Sequence, residues 1–98
     1  MLLGWLDTRA VEDFASKMSR EIQQSMPPSD ETPGKKEAGK RAKKIERIAT
    51  QAKDFSKSNK LNFYKKAKLA NTLKWSLKEA GYSDVFVREI VGLILVNL

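Results

Sequence analysis

Ninety-eight residues with a formal net charge of +7 make one domain, 1–98. Its single core closes over roughly 60–70% of the surface that the unfolded chain exposes. The chain has neither cysteine nor histidine, which excludes disulfides, thiolate metal sites and histidine-dependent triads and removes the commonest general base.

The opening run Met1-Leu2-Leu3-Gly4-Trp5-Leu6 is apolar. It is too short for a signal h-region, and no positive charges precede it. Trp5 with Leu2, Leu3 and Leu6 reads as a lid over the open end of the domain, the alternative being an anchor inserted into another protein or a membrane surface. Asp7 is a good N-cap, because its carboxylate can accept orphan N–H groups of a first helical turn. Leu6 and Val11 have the spacing of a hydrophobic staple. A first helix is expected over residues 7–25, with Val11, Phe14, Ala15, Met18 and Ile22 on its buried face. Met26-Pro27-Pro28 ends it, since proline restricts the residue before it and cannot donate to the helical ladder. Residues 27–35 show no apolar periodicity and are expected to form a mobile Pro-rich loop.

The second helix is expected over residues 36–57. Its apolar stripe is Ala38, Ala42, Ile45, Ile48, Ala49, Ala52 and Phe55, rich in alanine and poor in apolar area. On the far side Lys36, Lys40, Lys43 and Arg47 form a row. Lys40–Lys44 and Lys43–Arg47 are like-charged i, i+4 pairs, each costing roughly a few tenths of a kcal/mol, and Glu37–Arg41 supplies one opposite-charge pair in partial compensation. A surface shaped for stability alone would not crowd charge in this way.

Ser58 or Asn59 offers the next N-cap, for a third helix over residues 60–80. Phe63, Ala67, Ala70, Leu73, Leu77 and Ala80 form its main stripe. Leu61, Tyr64 and Trp75 fall on the other side, with Lys68 and Asn71 between the aromatics. A helix with two apolar sides is either the centre of a bundle or has one side reserved for a partner. Gly81 fits the left-handed C′ position that follows a helix, with Tyr82 folding back on the last turn. Ser83 or Asp84 then caps a fourth helix over residues 83–97, apolar almost all round. Its internal Gly92 costs about 1 kcal/mol against alanine, which points to a close backbone approach there. This run is broken by Arg88 and Glu89 and falls short of the ~20 residues that span a bilayer. The fold class expected is all-α, a small antiparallel bundle of four helices.

Charge is unevenly spread. Residues 1–34 hold three basic and six acidic groups, residues 35–78 fifteen and three, and residues 79–98 one and three, for nets of −3, +12 and −2. A basic middle can attract nucleic acid, anionic lipid or an acidic protein, or simply keep a helical protein soluble. Ala80-Gly81-Tyr82-Ser83, followed by Val87 and Ile90, resembles the turn of a DNA-binding helix-turn-helix. A recognition helix presenting Asp84, Val85, Phe86 and Glu89 is wrong for phosphates and base edges, and a glycine C-cap followed by a serine N-cap explains the same residues.

Catalysis finds no foothold. Thr32-Pro33-Gly34-Lys35-Lys36 lacks the spacing of a phosphate loop, and the carboxylates do not pair inward. We therefore expect a non-catalytic cytoplasmic protein that needs no cofactor or metal. The candidate binding face is Lys36, Lys40, Lys43, Arg47, Tyr64, Lys68 and Trp75. The first reading is a protein-interaction module that takes a protein partner or a second copy of itself. The alternative is sequence-independent nucleic-acid binding through the basic face of the second and third helices, with Tyr64 and Trp75 stacking on bases.

Overall fold

The computed structural model describes residues 7–28 and 35–98, with residues 35–38 described at the backbone alone. It contains α1 (Arg9–Ser25), α2 (Lys35–Asn59), α3 (Phe63–Glu79) and α4 (Asp84–Asn97). The expected four-helix, all-α bundle is what the chain forms, and each helix runs opposite to the one before it.

Local chemistry explains most of the helix ends. The Asp7 carboxylate accepts from the Arg9 backbone N–H at 3.1 Å and from the Arg9 guanidinium at 2.9 Å. Those side-chain bonds, then the backbone bond, hold the carboxyl down at about 2. Asp7 thus serves the first turn as expected, although the cap position falls on Thr8, whose side chain makes no capping bond. Leu6, and with it the expected staple, lies outside the described residues, as do Trp5 and most of the Pro-rich loop.

The end of α2 differs from expectation. The helix runs on through Asn59, and Lys60 takes a left-handed conformation at φ 48. Neither Ser58 nor Asn59 caps the next helix. Asn62 does so, accepting from the Lys65 N–H at 2.8 Å, which starts α3 at Phe63. The α3–α4 turn follows the sequence closely. Gly81 sits at φ 101, its N–H donates to the Lys78 carbonyl at 3.1 Å, and the Tyr82 N–H donates to the Leu77 carbonyl at 3.2 Å. That pair of bonds is the Schellman closure. Ser83 then caps α4 by accepting from the Phe86 N–H at 3.2 Å.

Packing decides the arrangement. α3 lies between α1 and α4, while α2 packs on α4 and more lightly on α1. The order round the bundle is therefore α1, α3, α4, α2, with the sequential neighbours α2 and α3 on a diagonal. Contacts along the α1–α3 seam rise together in the two helices. Glu12 meets Lys68 at 3.6 Å, Ser19 Oγ lies 2.6 Å from Ser76 Oγ, and the end of α1 meets Tyr82. These two helices are parallel. So are α2 and α4, where Arg41 lies over Phe86 and the Ser56 hydroxyl donates to the Leu98 carbonyl at 3.1 Å. Against α2, α1 is antiparallel, with Lys44 Nζ on the Ser25 carbonyl at one end and Phe14 stacked on Phe55 near the other.

The core holds Val11, Ala15, Met18 and Ile22 of α1 with Leu69, Leu73 and Leu77 of α3, and Ile48 and Ala52 of α2 with Phe86, Val87, Ile90 and Ile94 of α4. The α1 face is as read from the sequence, with Ser19 added. That serine is buried between helices and satisfied by Ser76 and by the Gln23 amide at 3.0 Å.

Three expectations need correction. Leu69, absent from the expected stripe of α3, is fully buried, whereas Phe63 and Ala67 face solvent. Lys65 and Lys66, one turn before Leu69, are half-buried, as long side chains are when their stems lie on apolar surface and their ammonium groups reach water. Ala42 of α2 is exposed, in keeping with the light packing of α2 on α1. Gly92 is exposed, and a Cβ built there would meet nothing within 4 Å. The close approach expected at this glycine does not occur among the described residues.

Tyr82 ties these seams together. It is buried, stacks on Phe86 with ring centroids 4.6 Å apart, and its hydroxyl donates to the Met26 carbonyl at 2.6 Å, with the Ile22 carbonyl at 3.3 Å. Tyr82→Phe leaves those carbonyls without that partner and should cost about 1–2 kcal/mol. Thermal unfolding should show this as a drop in Tm of roughly 4–8 °C for each kcal/mol. Gly92→Ala should move the other way, gaining about 0.5–1 kcal/mol in the same measurement, because the site is helical and open.

Candidate binding surfaces

The seven residues singled out in the sequence do not form one surface. Lys36 lies in the first turn of α2, and its side chain is outside the described set. Lys40, Lys43 and Arg47 are exposed along α2 and make no ion pair among the described residues. Their neighbour Lys44 is different, since its ammonium group sits on the last carbonyls of α1, where the helix dipole favours a cation. Tyr64, Lys68 and Trp75 stand on the outer side of α3, across the diagonal from α2. Lys68 is paired with Glu12. The α2 row and the α3 aromatics therefore leave the bundle on different sides.

The outer side of α3 continues onto α4. Phe63 is 88% exposed, Tyr64 48% and Trp75 52%, and on α4 Val85 is 63% and Val96 81% exposed. The helices are antiparallel, with register set by the Lys78–Asp84 ion pair at 3.3 Å. At about 1.5 Å per residue, this places Val85 level with the last turns of α3 and Val96 level with its first turn. Apolar groups thus mark both ends of the α3–α4 seam.

Between them lies a groove of about 380 Å³, its walls formed by Lys74 and Lys78 on one side and Arg88 and Gly92 on the other, with Val87 and Val91 beneath. The Lys74 and Lys78 ammonium groups lie 5.4 and 5.3 Å from the Trp75 ring centroid, one from the preceding residue and one from the next turn. Such contacts favour one orientation of the indole by about 0.5–1 kcal/mol each at an exposed site. The sequence flagged Trp75, placed Phe63 in the core stripe, and did not single out Val85, Val96 or Arg88 as exposed on this side. The available signal was that nearly all of α4 is apolar, more than a bundle this small can cover.

A second concavity, between α2 and α4, is lined by Arg41, Ile45, Phe86, Glu89, Ile90 and Leu93. Arg41 already lies over the Phe86 ring at 4.9 Å, so this pocket is partly filled by its own wall. Among the described residues no cluster of three or more acidic side chains is placed to hold a metal ion, and no helix is long and apolar enough to cross a membrane. No protein-family model, curated protein or solved structure matches the chain.

In a Trp5→Phe variant, Trp75 is the sole tryptophan. Its fluorescence should be quenched more strongly by iodide than by caesium, because Lys74 and Lys78 concentrate anions beside the ring. The gap should narrow toward about 1 M salt, where charges are screened beyond a few ångström. Weak quenching by both ions would mean that the indole is covered.

Proposed function

We propose that the chain is a non-catalytic interaction module that binds a protein partner through the outer side of α3 and the adjoining flank of α4. One observation carries this reading: Phe63, Trp75, Val85 and Val96 stay exposed at matched levels of two packed helices. Burial of a side chain this size is worth about 1.5–3 kcal/mol, so these positions hold unused binding energy. Aromatic residues are also the groups that most often anchor protein interfaces. The neighbouring lysines keep the free surface soluble and discourage indiscriminate association.

A second reading rests on a separate observation, the α2 row of Lys40, Lys43 and Arg47, which is exposed and lacks ion pairs among the described residues. Such a row supports phosphate contacts without sequence preference. It lacks stacking partners, because Tyr64 and Trp75 project elsewhere, so the protein-binding reading is preferred.

Phe63→Ser and Val96→Ser should each leave the unfolding free energy within about 0.5 kcal/mol of the parent, as surface changes do. A photo-crosslinking residue placed at Phe63 or Trp75 should form discrete protein adducts in extracts of the source cell, while one at the exposed Lys17 of α1 should not. Equal labelling from all three positions, or none from any, overturns the assignment. Retarded migration of unrelated RNA and DNA at low salt, lost in a Lys40→Glu/Lys43→Glu variant, would favour the second reading.

A further inference from the structure

Building on the interaction reading, we infer that the α3–α4 groove receives an amphipathic helix from another protein, one with acidic residues flanking its apolar stripe. Charge gives the first argument. Lys74, Lys78 and Arg88 line the groove, and its sole carboxylate, Asp84, is already paired with Lys78. Arg88 makes no ion pair among the described residues. The groove therefore keeps an uncompensated positive charge over an apolar floor of Val87 and Val91, and an occupant with carboxylates beside an apolar face complements both.

Shape gives the second argument. Gly92 has open space where a Cβ would stand, so the groove wall carries a dent at mid-length. A glycine that weakens its own helix and whose added Cβ would meet nothing among the described residues admits a close-lying backbone from outside. From the level of Val85 to that of Val96 is about 16 Å at 1.5 Å per residue, or three turns of helix. This length suits anchors spaced i, i+3 or i+4, and i+7. A bilayer is flat and cannot reach Val87, which is buried at the groove floor. A second copy of this chain is disfavoured, since a two-fold contact across the seam would set one basic groove against another.

The test uses the full chain with Trp5→Phe, so that emission reports Trp75. The probe is a synthetic peptide of about 16 residues with leucines at i, i+3, i+4 and i+7, glutamates flanking them and alanines elsewhere. A control peptide carries lysine in place of glutamate. The glutamate peptide should give a saturable change in Trp75 emission and bind at least about tenfold more tightly than the lysine peptide. Lys74→Glu with Arg88→Glu should invert that preference, and Gly92→Ile should weaken binding by a similar factor while the protein stays folded by circular dichroism. The inference is overturned by absent binding of the glutamate peptide, by equal binding of both peptides, or by a preference that survives charge reversal. Binding to phosphatidylserine vesicles with no peptide binding overturns it in favour of a membrane surface. Crosslinks at Phe63 and Trp75 alongside a failed peptide titration would remove the acidic helix and leave the interaction module standing.

Discussion

The parallel seating of α1 on α3 is the constraint on which the rest of the bundle depends, and the Tyr82 hydroxyl locks it. A helix ends with carbonyls that its own ladder cannot satisfy, and at the end of α1 the Tyr82 hydroxyl takes up that of Met26, with a longer contact to the Ile22 carbonyl, which already accepts the Met26 N–H. Because Tyr82 follows directly on the glycine cap of α3, this bond fixes where α3 ends relative to α1. The small Ser19–Ser76 contact and the Glu12–Lys68 pair then fall into place along the seam. With α3 held between α1 and α4, α2 is left to close the remaining side over α4.

That arrangement determines which surfaces are free. The buried side of α3 narrows to Leu69, Leu73 and Leu77, and the helix turns Tyr64 and Trp75 to solvent. α4 serves two neighbours with Phe86, Val87, Ile90 and Ile94, leaving Val85, Leu95 and Val96 outside. A larger bundle would cover such a helix with a fifth element. Here the uncovered flank meets the lysine-rich side of α3, so the exposed apolar groups lie beside cations. The chain thereby separates two kinds of basic surface: a purely polar one on α2, and one mixed with aromatic and aliphatic groups on α3 and α4.

Features that depend on neighbours in the chain were legible in the sequence. The α1 face, the stop at Met26-Pro27, the left-handed Gly81 and the Ser83 cap are all local, since each follows from one residue's conformational preference or from one helical period. The errors came where a distant contact overrode a local signal. Phe63 looked like core because it is large and in phase with Ala67 and Ala70. Asn62 caps the helix instead, and α1 selects the face bearing Leu69. The end of α2 was hidden because a lysine, not a glycine or asparagine, takes the left-handed position. Lys40, Lys43, Arg47, Tyr64 and Trp75 are exposed, yet the sequence joined them into one face by assuming that successive helices are neighbours in space.

By itself the sequence determined the number of helices, most of their limits, the alternation in their direction and the absence of cysteine or histidine chemistry, because composition and hydrogen-bonding preference act within a few residues. The order of the helices round the core, the burial of Leu69, the open space at Gly92 and the pairing of α3 with α4 into one basic, apolar groove were decided by the tertiary structure alone. They depend on which helix covers which face, and that choice is settled by how Ser19, Ser76 and Tyr82 fit together across residues far apart in the chain.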